Sequence, residues 1–295
     1  MKLSPNSSRD ESVDKSRRWA ATASIHMLLS AVCAATLYPV LWVVKMAVSP
    51  TETLSLSANP FPSEVTGSHF AAILGATDSA GRWLFGRNLV SSLLVSTAAT
   101  VVGLLLAGTA AYALSRFRFP GKRSGLQALL ISQMFPATLM LIPIYSILQK
   151  LHLLNSLGGL VLVYSTTSLP FCVWMLKGHF DTIPRELEEA ALMDGATQWQ
   201  TFVKVVLPLS RPALAVTALF SFMNAWNEFI LAATLLNNAA LFTLPVALQR
   251  LVGEYTVEWG RFAAGALLVS IPVMALFFAL QKHLVGGLTA GGVKG

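Results

Sequence analysis

Residues 89–114 read LVSSLLVSTAATVVGLLLAGTAAYAL, a run of apolar and small residues without one charged side chain. A helix that crosses about 30 Å of hydrocarbon needs about 20 such residues, so this run is long enough to span a bilayer. The apolar runs of the chain lack the alternation of barrel strands, and open strands would leave backbone groups without hydrogen bonds in lipid. We therefore predict a transmembrane helix here, in an all-α integral membrane protein.

The composition of the whole chain agrees with a membrane location. Of its 295 residues, 54% are hydrophobic and 12% are charged, and the mean hydropathy is +0.62. Soluble domains carry about 25% charged residues, so a disordered chain and an ordinary soluble enzyme are excluded. The net charge of +7 is explained by basic residues beside apolar runs, so the lipid bilayer, and no nucleic acid, is the expected partner.

Five further segments qualify as spans or nearly so, which predicts six transmembrane helices. The six segments are 25–44, 89–114, 126–148, 159–176, 213–236 and 262–280. The first is expected to stay as an uncleaved anchor, because it is too long for a signal peptide and ends without a small-x-small cleavage site. Residues 1–24 then form a polar N-terminal segment, 25–286 the transmembrane domain, and 287–295 a glycine-rich tail.

The distribution of basic residues predicts the orientation. With the N-terminus inside, the cytoplasmic segments hold 15 of the 21 Lys and Arg residues and the outer segments hold 6. Cytoplasmic loops of membrane proteins carry such an excess. Both termini are therefore expected in the cytoplasm.

Residues that carry catalysis or bind metal are scarce. Cys33 and Cys172 lie in separate apolar runs and the five histidines are scattered, so we expect neither a disulfide framework nor a metal site. The phosphate-loop pattern G-x-x-x-x-G-K-[ST] is absent from the sequence, so we expect no ATP bound by this chain. We also find no catalytic triad and no carboxylate pair at credible spacing, and the chain is predicted not to be an enzyme.

The loop at 177–212 is long and has its own helical pattern. Pro184 and the three glutamates that follow it suit the start of a helix, and Gly195 suits its end. Apolar residues then recur at i, i+3, i+4 and i+7, as in an amphipathic helix: Trp199, Phe202, Val203 and Val206. We predict two short helices with a bend between them, lying on the cytoplasmic membrane surface. From the pattern alone, they could dock another protein or pack only against their own bundle.

The same loop resembles the EAA signature of ABC-importer permeases. Glu189-Ala190-Ala191 is followed after three residues by Gly195, and after nine more by Val205-Val206-Leu207-Pro208. The one departure is Val205, where the family usually has Ile. The resemblance implies the type I importer permease fold, with this loop as the coupling helix that sits in a cleft of a cytoplasmic ATPase. The implied docking residues are Glu189, Ala190, Ala191, Gly195, Leu207 and Pro208.

Other stretches resemble carbohydrate importers of the maltose-transporter type, namely residues 111–122, 193–197, 225–229 and 287–295. The resemblance implies a permease of the bacterial inner membrane that imports a sugar such as maltose, maltodextrin or trehalose. The implied partners are a second permease subunit, homologous or a second copy, two copies of a cytoplasmic ABC ATPase that bind ATP and Mg, and an extracytoplasmic sugar-binding protein. Tail residues Gly291, Gly292 and Lys294 would contact the ATPase. The alternative is an ion-gradient-driven secondary transporter, but the chain has no evident internal repeat and such a carrier has no need of an EAA loop.

The fifth segment carries candidate residues for the transport path. Polar side chains stand at i, i+3, i+6 and i+7: Ser221, Asn224, Asn227 and Glu228. A carboxylate at this depth is costly, so it should face the bundle interior or water. These groups either line the sugar path or form hydrogen bonds at the interface with the sister permease. Gln133, Pro136 and Pro143 in the third segment and Pro170 in the fourth can bend helices and free carbonyls toward a cavity, but prolines are also common in spanning helices that have no such role.

Overall fold

The structure is a computed structural model of the chain, and it describes residues 7–51, 59–253 and 257–292. Regular structure within these ranges is helical, apart from two isolated β-bridges. The helices are α1 (Ser7–Val48), α2 (Ser68–Leu74), α3 (Leu84–Arg116), α4 (Lys122–Ser132), α5 (Leu141–Lys150), α6 (Leu157–Phe180), α7 (Glu186–Met193), α8 (Gln198–Thr201), α9 (Leu207–Leu209), α10 (Arg211–Asn227), α11 (Ile230–Leu235), α12 (Leu244–Gln249) and α13 (Trp259–Gly292). A π-helical turn, Phe202–Val206, joins α8 to α9, and 3₁₀ turns form at Ala137–Met140 and Ala239–Leu241. The all-α prediction is confirmed.

Four helices of the described chain are long and apolar enough to cross a membrane. They are Ala21–Val48 within α1, α3, α6, and Trp259–Gln281 within α13. A fifth span results if Gln198–Leu209 and Arg211–Asn227, which meet at 78°, are taken as one broken span. The total of six spans and the cytoplasmic position of both termini remain predictions.

The third predicted segment, 126–148, is not one continuous helix. α4 ends at Ser132 and α5 begins at Leu141, with a 3₁₀ turn between them. Pro136 lies at this break with φ −57° and ψ 128°. Proline has no N–H for the helical ladder and disfavours the helical conformation of the residue before it. Our expectation of a single helix here was wrong, and the local cause is this proline.

The centre of the bundle is the contact between α3 and α6, with α10 packed against both. Small residues allow the close approach, since a Cβ atom on Gly103 would lie 3.2 Å from Oγ of Ser168. Ser165 on α6 is also buried, whereas Thr166 is exposed. Residues 165–168, the polar centre of the fourth predicted segment, therefore direct their two serines into the bundle.

Two clusters of buried residues lie along α3 and α6. One contains Val95, Ala99, Leu160, Tyr164 and Phe242, and the other contains Ala107, Ala111, Leu176, Phe180 and Phe202. The second cluster joins the Arg116 end of α3 to the loop at 177–212. In contrast, the most apolar stretch of α1 has no buried residue in the single chain.

Candidate functional site

The loop at 177–212 has the two helices and the bend that its pattern predicts. α7 covers Glu186–Met193, and Gly195 follows with a φ of +87°. L-residues rarely adopt this left-handed conformation, so glycine suits the bend. The second helix starts from a capping box in which Thr197 and Gln200 each accept a hydrogen bond from the other's backbone N–H, at 3.2 and 2.8 Å.

The predicted docking residues divide between the tip and the base of this loop. Glu189, Ala190 and Gly195 are exposed, and Ala191 is half-buried. Leu207 and Pro208 are half-buried in α9, where the loop joins α10. Two large apolar side chains stand out at the tip, Met193 with 88% and Trp199 with 64% of the surface exposed. The tip is thus an exposed, partly apolar surface with small residues.

The base of the loop is held by apolar packing. Phe202 and Val206 are buried in the cluster with Ala111 and Phe180, and the Tyr112 and Phe202 ring centroids lie 4.6 Å apart. Of the predicted apolar face, these two residues turn inward, while Trp199 and Val203 remain exposed. The second helix is therefore packed against the bundle through Phe202 and Val206.

A buried ion pair connects α7 to the end of α3. Nε of Arg116 donates to Oε1 of Glu188, and Oη of Tyr112 donates to Oε2 of the same carboxylate at 3.0 Å. Nη2 of Arg116 also donates to the carbonyl of Ile183 at 3.1 Å. The sequence interpretation missed this role, because it treated Glu188 only as one of three acids at a helix start.

A second polar contact lies beside the first. Oγ of Ser115 donates to Oδ1 of Asp181 at 2.6 Å, and Nζ of Lys177 donates to Oδ2. Burial would raise the pKa of Asp181, but the hydrogen bonds from Lys177 and Ser115 and the charges of Lys177 and Arg116 outweigh it and hold the pKa below its ordinary value. Asp181 is therefore a stable anion at the end of α6.

A cavity of about 170 Å³ opens between the end of α3 and the two loop helices. Its lining includes Tyr112, Arg116, Glu188, Glu189 and Thr201. Oγ1 of Thr201 is buried and has no hydrogen-bond partner within the described structure. The ion pair thus forms part of the wall of a polar notch.

Three of the four candidate path residues, Ser221, Asn224 and Asn227, lie within α10, whereas Glu228 lies beyond its end. Ser221 is buried, whereas Asn224 and Asn227 are exposed in the single chain. α10 ends at Asn227, and Glu228 follows it in an extended conformation with ψ 126°. The expected continuous helix over 213–236 was therefore wrong, and Glu228 lies in the break before α11.

The carboxylate of Glu228 explains how the break is stabilised. It accepts hydrogen bonds from the backbone N–H groups of Leu231 at 2.8 Å and Ala232 at 3.1 Å. These replace hydrogen bonds that the start of α11 lacks, as a capping side chain does. Oη of Tyr164 donates to the same carboxylate at 2.6 Å. Glu228 is consequently tied to α6, and sequence spacing did not indicate Tyr164.

A larger cavity, of about 440 Å³, lies beside Asn227. It is bounded by α10, α12 and α13, and its polar lining comes from Asn227, Gln249 and Ser270 among mostly apolar residues. Of the predicted tail residues, Gly291 and Gly292 lie in the last turn of α13, and Lys294 lies outside the described residues.

The chain is similar to known transport proteins over most of its length. Residues 99–289 match the family described as binding-protein-dependent transport system inner membrane component. The trehalose transport system permease protein SugB of Mycobacterium tuberculosis is 37% identical over 261 residues, 88% of this chain and 93% of SugB. The maltose/maltodextrin transport system permease protein MalG of Escherichia coli is 38% identical over 289 residues, 92% of this chain and 95% of MalG.

The fold also matches a solved structure. A bacterial ABC transporter involved in the import of the acidic polysaccharide alginate contains a chain that is 23% identical, with a TM-score of 0.73. The match covers 96% of this chain and 100% of that one. At this identity the likeness concerns the fold.

Proposed function

The chain belongs to the family of binding-protein-dependent transport system inner membrane components, and we propose that it is the permease subunit of an ABC importer for a neutral oligosaccharide. The observation that carries the proposal is the exposed tip of the loop at 177–212, with the EAA spacing and a glycine bend. The chain is an inner-membrane component and not an enzyme. Maltose, maltodextrin and trehalose are the proposed sugars, because relatives at similar identity are named for them.

The loop at 177–212 docks into a cytoplasmic ABC ATPase. Glu189, Ala190, Ala191 and Gly195 supply the contact surface, and Leu207 and Pro208 hold its base. Small exposed residues permit close backbone approach, and the exposed Met193 and Trp199 offer apolar area for burial in a cleft. Two copies of the ATPase bind ATP and Mg, and hydrolysis there drives the conformational change.

The transport path passes along α10. Asn224 and Asn227 carry exposed amides that donate hydrogen bonds to sugar hydroxyls and accept hydrogen bonds from them. These amides are uncharged, which suits a neutral sugar. The cavity beside Asn227 offers room next to these amides. Ser221 and Glu228 belong to the same region and act on the path from within the bundle. The competing assignment is that Asn224 and Asn227 form hydrogen bonds with the second permease.

The remaining partners follow from the family. An extracytoplasmic binding protein delivers the sugar, and a second permease, homologous to this one, completes the path. The uncovered apolar side chains of α1 need lipid or a partner surface to bury them. The tail with Gly291, Gly292 and Lys294 contacts the ATPase.

The proposal is tested with Gly195→Asp in the complete complex, reconstituted in proteoliposomes. The matched control is Gly121→Asp, because Gly121 is also exposed, has a φ of +84°, and a Cβ atom there would meet no other atom within 4 Å. We expect the Gly195 variant to lose the ATPase on purification and to lose ATP-dependent sugar uptake, while the control keeps both. Retention of the ATPase and of uptake would reject the docking assignment. Loss of uptake on adding an uncoupler at constant ATP would favour the secondary transporter instead.

A further inference from the structure

α7 has almost no apolar anchorage in the bundle. Glu188 is the buried residue of this helix, while its large apolar side chains Leu187, Leu192 and Met193 are exposed. A helix of eight residues is marginal in water without tertiary contacts. Besides its contacts with α8 and the π-helical turn, the position of α7 therefore depends on what Glu188 contacts.

Both carboxylate oxygens of Glu188 accept hydrogen bonds. Arg116 binds one oxygen and Tyr112 binds the other. The side chains of Arg116 and Glu188 are only 9% and 8% exposed. Removing one partner from a buried pair leaves an uncompensated charge, so this pair resists separation.

Arg116 extends the connection beyond α7. Its Nη2 reaches the carbonyl of Ile183, before α7 starts, and its Nη1 donates to Oγ of Ser115 at 3.0 Å. Ser115 in turn donates to Asp181 at the end of α6. The planar guanidinium therefore joins α3, the end of α6 and α7 through fixed directions.

We propose that Tyr112, Arg116 and Glu188 are positioning residues that make α7 rigid with α3, so that a displacement of α7 by the ATPase moves the bundle. This inference rests on the proposed function. Without the three contacts, α7 rocks on its own loop and absorbs the displacement. ATP is then hydrolysed without a matching movement of the spanning helices, and the importer is uncoupled.

The test compares Glu188→Gln and Tyr112→Phe with wild type in the complete complex. The matched control is Glu186→Gln, the same change at an exposed position of α7. Proteoliposomes carry the two permeases and the ATPase with saturating binding protein. Sugar imported and ATP hydrolysed are measured in the same samples, together with the amount of ATPase retained.

We expect both variants to retain the ATPase and to import less sugar per ATP hydrolysed. The fall is roughly tenfold for Glu188→Gln, since a hydrogen bond to a charged partner is worth at least about that factor. Tyr112→Phe, which loses one hydrogen bond and is expected to fold if Glu188→Gln does not, shows a smaller fall. Glu186→Gln keeps the wild-type ratio.

An unchanged ratio of sugar to ATP in Tyr112→Phe would overturn the inference. Loss of the ATPase from both variants would overturn it too, because the cluster would then shape the docking surface and not transmit movement. Absence of ATP-dependent uptake in wild type would instead reject the proposed function. The two failures are therefore distinguishable.

Discussion

Oη of Tyr164 lies 2.6 Å from Oε2 of Glu228, and this contact joins α6 to the break between α10 and α11. The same carboxylate also caps α11 through Leu231 and Ala232. One acidic side chain thus holds three helices at one point. The contribution of Glu228 to stability can be separated from any contribution to sugar binding, because substitution of Tyr164 removes one contact without altering the carboxylate.

Tyr164→Phe should destabilise the protein without changing its apparent affinity for sugar. Loss of a hydrogen bond to a carboxylate costs about 1.5–3 kcal/mol in the free energy of unfolding. Thermal unfolding of the purified complex measures the loss, and the sugar concentration at half-maximal uptake measures affinity. Glu228→Gln should behave alike if Glu228 is a positioning residue. A change of that concentration in Glu228→Gln alone would identify Glu228 as a sugar ligand.

Gly195→Asn should impair the complex less than Gly195→Ala. At a φ of +87° a Cβ atom meets no other atom within 4 Å, so the conformation, not the space, disfavours alanine. The left-handed region costs most L-residues about 1–2 kcal/mol, and asparagine tolerates it best. Retention of the ATPase on purification, measured for both variants at equal expression, tests the order. Equal loss in both would mean that the ATPase approaches the glycine too closely for any side chain.

Gly103→Ala should destabilise the contact between α3 and α6. Adding Ser168→Ala to that variant should restore part of the lost stability, because it removes the oxygen that the new methyl group crowds. The added methyl group would lie 3.2 Å from Oγ of Ser168, and the next atom is 3.8 Å away. Overpacking of this kind costs roughly 1–3 kcal/mol. Unfolding temperatures of both single variants and of the double variant complete the thermodynamic cycle. Additive effects in that cycle would contradict the close approach.

Asn155→Ala should loosen the loop that follows α11. Oδ1 of Asn155 accepts hydrogen bonds from the backbone N–H groups of Asn237 and Asn238, both at 3.0 Å, and its φ is +54°. The substitution removes both bonds and adds backbone strain, a loss of about 1–3 kcal/mol. Asn155→Asp keeps an acceptor oxygen and serves as the control. Faster amide hydrogen exchange at 237–238 in the alanine variant alone would support the assignment, and equal exchange in both would contradict it.

The contribution of Asp181 to stability should disappear in acid. Its pKa is lowered on folding, so its stabilising effect is present above the unfolded pKa of about 4 and is lost as the pH falls through the folded pKa. The difference in unfolding temperature between wild type and Asp181→Asn should therefore narrow below about pH 4. If the difference in unfolding temperature stays constant as the pH falls below about 4, the pKa of Asp181 is not altered by folding.

The sequence alone was sufficient for the features that depend on local properties. Long apolar runs predict spanning helices because backbone polar groups must be satisfied within each segment in lipid. Gly195 and the apolar spacing after it predict the bend between two helices that the structure shows. These signals depend on neighbouring residues, so they survive without knowledge of the fold.

Tertiary structure alone decided which polar residues pair. Nothing in the sequence shows which of Glu188 and Glu189 is buried, yet packing buries the first against residues 72 and 76 positions away and leaves the second exposed. Likewise no proline marks the end of α10 at Asn227. The break there is stabilised by the carboxylate of Glu228 and a tyrosine 64 positions away. Such contacts depend on how distant helices pack, and helical spacing along one segment carries no information about them.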